Sequence, residues 1–118
     1  MIYRRTIQAK IEENLFKGKL IIIYGARRTG KTTLSKAILA KHPDDGKYIN
    51  CELLQNRQAL STTNSERLKE FLGDAKLVVL DEAQEIASIG KILKILVDTF
   101  PQTQIIATGS SSFDLAQK

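Results

Sequence analysis

Apolar and polar positions along the chain follow two alternating rhythms. Leu20 to Tyr24 (LIIIY), Leu77 to Leu80 (LVVL) and Gln104 to Thr108 (QIIAT) are short, nearly continuous apolar runs rich in β-branched residues. That is the pattern of strands buried on both faces of a parallel sheet. Tyr48 to Cys51 (YINC) is a weaker strand, second in chain order. Between the runs, apolar residues recur at helical spacing. Ile7, Ile11 and Leu15 predict a helix over residues 6–17, and Leu34, Ala37 and Ile38 one over residues 31–41. Leu68, Phe71 and Leu72 predict another, capped by Ser65 and ended by Gly73. Ile89, Ile92, Leu93, Leu96 and Val97 form a further helical face, stopped by Pro101. Pro43 to Gly46 reads as a turn. Residues 54–64, full of Gln, Asn, Ser and Thr, read as a surface loop. Ser112 reads as the cap of a helix beginning FDLA.

Strand–helix alternation predicts right-handed crossovers and an α/β fold: a three-layer sandwich with a mostly parallel sheet of about four strands and helices on both faces. A length of 118 residues suits one domain over residues 1–118. Its apolar runs are strand-length, far short of the ~20 residues a membrane-spanning helix needs. One cysteine, Cys51, excludes an internal disulfide framework and makes a reducing, cytoplasmic setting the expectation. Cys51 itself reads as a small buried residue.

In parallel α/β sheets ligands bind beyond the carboxyl ends of the strands. Three polar stretches stand there: Gly25–Thr33, Asp81–Glu82 and Thr108–Ser110. The first is Gly25-Ala26-Arg27-Arg28-Thr29-Gly30-Lys31-Thr32-Thr33, which fits G-x-x-x-x-G-K-[ST], the Walker A pattern. Its glycines allow successive backbone N–H groups to face one concavity, and the following helix adds its positive N-terminus. Lys31 is expected on the β- and γ-phosphates, and the Thr32 hydroxyl on Mg²⁺, a hard cation that prefers oxygen. Arg27 and Arg28 suit phosphate or a neighbouring subunit's ligand, against the plainer reading of solvated charge on the loop's rim. The charge distribution agrees with a polyanion held here. The net charge is +5, yet residues 1–31 carry eight Lys or Arg against Glu12 and Glu13.

Asp81 and Glu82 end the LVVL run. In Walker B chemistry Asp81 orients the Mg²⁺ opposite Thr32, while Glu82, on the other side of the pleat, polarises an attacking water. That glutamate, with no N-K-x-D guanine-reading motif in the chain, favours ATP hydrolysis over GTP hydrolysis or transfer to a second substrate. Past QIIAT, a polar side chain could bond the water or γ-phosphate; Ser110 is the first candidate and Thr108 the second. A serine-rich turn capping the next helix competes with that reading.

With YGARRTGKTTL, LVVLDEAQEI and IIATGSSSFDL in this order, the chain resembles the N-terminal P-loop core of bacterial and archaeal AAA-type ATPases, of the AAA+ superfamily and its ASCE class. The matching motifs spread over residues 4–115. The resemblance implies Glu82 as catalytic glutamate, Ser110 at the sensor-1 position, and Tyr3, Arg4 and Arg5 near the adenine. It implies strand order 5-1-4-3-2, with this chain truncated before strand five, the lid and the arginine finger. The Leu20–Tyr24 strand would then lie on an open edge, which invites self-association or a protein partner. Without the finger, worth roughly 10³–10⁵ in rate where it operates, hydrolysis would be slow.

The expectation is therefore an ATP- and ADP-binding module with Mg²⁺ as cofactor and weak or partner-dependent hydrolysis, with Glu82, Lys31 and Ser110 in catalytic roles. Two other readings stay open. One is a non-catalytic interaction or oligomerisation module using the open edge. The other is a nucleic-acid-associated ATPase, not favoured, because aromatic residues are only 6% and no stacking platform is visible.

Overall fold

The structure is a computed structural model that describes residues 13, 15, 20–24, 31–62 and 64–109, with side chains left aside at Tyr24, Lys31 and Thr32. Four parallel strands form one sheet: β1 (Ile21–Tyr24), β2 (Gly46–Asn50), β3 (Leu77–Asp81) and β4 (Gln104–Gly109), in the order β1-β4-β3-β2. The helices are α1 (Lys31–Leu39), α2 (Leu54–Leu60), α3 (Ser65–Leu72) and α4 (Ile89–Thr99), with a 3₁₀ turn at Ala83–Glu85. The α/β sandwich expected from the alternation is the architecture found.

Strand alternation sends successive side chains to opposite faces, and the two cores follow it. Leu77, Val79 and Ile106 pack with Leu34 and Ile38 of α1. Val78, Leu80, Ile105 and Ala107 pack on the other side against Leu60 of α2, Leu68 and Leu72 of α3, and Ile89, Ile92, Leu93 and Leu96 of α4. All five residues of β3 and all six of β4 are buried. They are the central strands, and a parallel strand covered on both faces is apolar through its middle, with the buried polar residues Asp81, Gln104 and Thr108 at or near the strand ends.

Four expectations are corrected. β1 packs on both faces but is only half-buried: it ends the strand order, with Ile22 against one core and Ile21 and Ile23 against the other. Beside Leu20 and Ile22 lies a groove of about 340 Å³, walled by Gly90, Leu93 and Val97 of α4. Residues 54–64 are not simply a loop. They contain α2, a helix whose seated apolar residue is Leu60 while Leu53 and Leu54 remain exposed. The Asn56 amide donates to the Asn50 carbonyl at 2.9 Å, and Arg57 pairs with Glu85 at 3.7 Å, so polar anchors replace the apolar stripe. The cap of α3 is Asn64 rather than Ser65. Its side-chain oxygen accepts from Glu66 N at 2.9 Å and Arg67 N at 3.2 Å. Gly73 ends the helix at φ 63°, as expected of a residue without Cβ. The fourth correction concerns Glu82 and belongs to the site.

Of the helix expected over 6–17, Glu13 is helical and Leu15 lies in a turn; the rest falls outside the described residues. So do Tyr3, Arg4, Arg5, the Gly25–Gly30 loop, Ser110 and the FDLA segment. Among the described residues, no helix is long and apolar enough to cross a membrane.

Candidate functional site at the carboxyl end of the central strands

Asp81 is the last residue of β3, and its parity with Leu77 and Val79 puts it on the α1 face of the sheet. It is 3% exposed, and a buried carboxylate is stable only with partners. Both neighbouring strands supply one. From β2, the Tyr48 hydroxyl donates to Asp81 Oδ2 at 2.5 Å. From β4, the Thr108 hydroxyl donates to Asp81 Oδ1 at 2.5 Å. A hydroxyl donor on each oxygen is the kind of partner an ionised carboxylate needs.

Thr108 is fully buried, and its oxygen also accepts from the Glu82 backbone N–H at 3.1 Å. One hydroxyl thus holds the aspartate side chain and the backbone of the next residue together. Thr108, the second candidate sensor, has its hydroxyl engaged with Asp81 and the Glu82 N–H. Ser110, the first candidate, lies outside the described residues.

Glu82 supplies the fourth correction. The strand ends at Asp81, so pleat alternation no longer sets the direction of Glu82. Its backbone is left-handed, φ 56° and ψ 48°, a conformation that costs a residue with Cβ about 1–3 kcal/mol. The Thr108 contact to its N–H and a bond from Glu85 N to its carbonyl at 3.1 Å hold the turn. Its carboxylate accepts from Gln84 Nε2 at 2.7 Å, and the residue is 7% exposed. Backbone strain at a buried acid beside a second buried acid is a feature that clusters at functional sites.

The surroundings respond to this concentration of carboxylate. Burial first, then the bond to Asp81, raises the Tyr48 hydroxyl well above its ordinary value. Burial, with Asp81, Glu82 and Glu85 nearby, pushes the Cys51 thiol up to about 12. Cys51 is fully buried, as expected, and its N–H bonds the Asp81 carbonyl at 2.9 Å. Among the described residues no cluster of three or more His, Cys, Asp or Glu side chains is placed to hold a metal. A site that leaves most of a cation's shell to phosphate and water needs only one or two protein oxygens.

Lys31, Thr32 and Thr33 form the first turn of α1, whose later residues Leu34 and Ile38 pack on the Asp81 face of the sheet. The Gly25-Ala26-Arg27-Arg28-Thr29-Gly30 segment therefore joins the end of β1 to the start of α1. A strand and a helix joined by a glycine-containing segment of sequence, with a held aspartate two strands away, is the order of elements of a phosphate-binding fold.

A family model described as AAA domain matches residues 17–118. The chain belongs to the AAA domain family. A protein of Methanocaldococcus jannaschii described as uncharacterized is 35% identical over 111 residues, 92% of this chain. One of Mycobacterium tuberculosis, also described as uncharacterized, is 28% identical over 116 residues, 98% of this chain. This AAA chain spans about a quarter of the length of these curated relatives, 25% in each case. Among solved structures, a DNA replication initiation factor matches with a TM-score of 0.56 over 89% of this chain and 36% of its own, at 22% identity. At that identity the likeness shows the fold. As an AAA domain, the chain is a nucleotide-binding module of AAA type.

Tyr48 was not singled out from the sequence. The available signal is an aromatic hydroxyl on β2 one inward-facing position before the level of Asp81, visible only once the pairing Asn50 with Asp81 is known.

Proposed function

We propose that this AAA domain, over residues 1–118, binds ATP with Mg²⁺ and hydrolyses it slowly, at a site spanning residues 25–33 and the ends of β3 and β4. The reading is supported above all by Asp81: buried, held by hydroxyls from both neighbouring strands, and on the face of the helix that follows the glycine-containing loop. Its oxygen donors suit Mg²⁺ in type. In this reading Gly25 to Gly30 and Thr33 line the phosphates with Arg27 and Arg28 at the rim, and Lys31 binds the β- and γ-phosphates. Thr32 and Asp81 hold the cation, which when bound neutralises developing phosphate charge. Glu82, carried on its left-handed turn, orients a water and takes its proton. Ser110 bonds the γ-phosphate.

The test is nucleotide titration of the purified chain, with and without Mg²⁺, read by thermal unfolding. Mg-ATP and Mg-ADP should raise the unfolding temperature, since a ligand bound only by the folded state stabilises it by mass action. GTP should do so less, and Lys31→Ala should erase the effect. A folded sample with no shift at saturating Mg-ATP would remove the proposal.

A second reading is favoured by the edge strand. Among the described residues β1 pairs with β4 alone, and its half-buried isoleucines adjoin the 340 Å³ groove. Such an edge is a template for another strand, and a second copy of this chain would satisfy it. Sedimentation should then show a dimer whose population is independent of nucleotide; a monomer at all concentrations excludes it.

A further inference from the structure

Asp81 is met from both sides, and the two contacts differ in what they demand. Thr108 is short and already spends its oxygen on the Glu82 N–H. Tyr48 pairs with Val79 in the ladder, whereas Asn50 is the residue paired with Asp81. The phenol therefore reaches diagonally along the sheet, a distance within the range of an aromatic side chain. Its ring is held from outside as well: Lys36 Nζ of α1 lies 4.9 Å from the ring centroid, within cation–π range. Lys36 is four residues after Thr32, one turn along the helix on which the proposed Mg²⁺ ligand sits.

We propose that Tyr48 is a positioning residue for the divalent cation: with Thr108 opposite, its hydroxyl clamps the Asp81 carboxylate in the orientation that receives the metal of the bound nucleotide. The carboxyl torsion of an aspartate is broad and roughly two-fold. A single donor leaves the group free to pivot about that contact. Donors on opposite oxygens, from strands on opposite sides, fix its plane before any cation arrives. Each carboxylate oxygen can accept more than one partner, so the clamp is compatible with a metal-bound water. Residues that orient a metal-binding group are known to change metal affinity when altered, by about 10–100-fold. The inference rests on the proposed role of Asp81 and adds the residue that orients it.

The test uses Tyr48→Phe, which keeps the ring and removes the hydroxyl. Binding of ADP without metal is measured first, then binding of Mn²⁺ to the ADP complex by its paramagnetic resonance signal. The expected result is unchanged metal-free ADP affinity and Mn²⁺ affinity lower by about tenfold. Equal Mn²⁺ affinity in a folded Tyr48→Phe variant would overturn the proposal, leaving the phenol as a tie between β2 and β3. If the unaltered chain binds neither ADP nor Mn²⁺–ADP, the nucleotide reading fails, and this inference with it. Should Tyr48→Phe unfold, the titration is repeated with trimethylamine N-oxide, which strengthens burial without touching the site.

Discussion

The two faces of the sheet end differently at the carboxyl edge. Toward α2, α3 and α4 the central strands finish in Leu80 and Ala107, and Cys51 just past β2 continues the same apolar wall; all three are fully buried. Toward α1 the same strands finish in Asp81 and Thr108, with Tyr48 of β2 reaching across to them. The first face is closed by three helices and a 3₁₀ turn, so its strand ends can be hydrocarbon. The second is covered by one helix among the described elements, and its strand ends carry three polar groups bonded to one another. Alternation along two strands thus separates an apolar store of stability from a polar cluster only one residue away.

The sharpest way to examine that division is the Cys51 thiol, which belongs to the apolar face although its backbone touches Asp81. It is fully buried and pushed up to about 12, so folded chains should not offer a thiolate. Labelling by a thiol reagent at pH 8 should proceed only through opening of the core, slowed by about 10³-fold or more relative to the chain in urea for ordinary domain stability. Rapid labelling in the native state would mean that the helices do not seal that face.

The next effect in size is Leu96→Ala. Leu96 is fully buried against α3 and the sheet, and truncation leaves a cavity as well as lost burial, about 2–5 kcal/mol. Urea unfolding should read that loss, while the folded fraction keeps its nucleotide affinity. Thr108→Val probes the polar side. It removes a donor from Asp81 and an acceptor from the buried Glu82 N–H, which should cost about 1–3 kcal/mol. Thr108→Ser should recover most of it. If Thr108→Val were neutral, the polar cluster would not be holding the strand ends together.

How much of this could be read without coordinates depends on which force placed each element. Strands β3 and β4 announce themselves, because burial on both faces demands continuous apolar residues. Helix α4 does as well, through its apolar stripe of Ile89, Ile92, Leu93 and Leu96. Helix α2 does not: its leucines at 53 and 54 point to solvent, and Asn56 and Arg57 tie it down by polar contacts that no periodicity records. Asp81 and Glu82 were legible as strand-end acids following a phosphate-loop pattern. The left-handed turn at Glu82 was not, since a glutamate does not favour φ 56° by itself, and part of its support comes from Thr108, 26 residues away. Tyr48 was invisible for the same reason: its role depends on strand pairing.

The smallest expected change lies at Asn64, far along the apolar side. Its side chain bonds two N–H groups at the start of α3, donors that the helix cannot satisfy itself. With eight residues, α3 is too short to be stable alone and relies on this cap and on Leu68 and Leu72 against the core. Asn64→Ala should cost about 1 kcal/mol in urea, and Asn64→Ser much less. Nucleotide and Mn²⁺ affinities should stay put, because α3 packs on the side of the sheet away from Asp81. A change in metal affinity from so remote a cap would mean that the apolar core transmits strain through β3 to the carboxylate, and the two faces would then have to be treated as one cooperative unit.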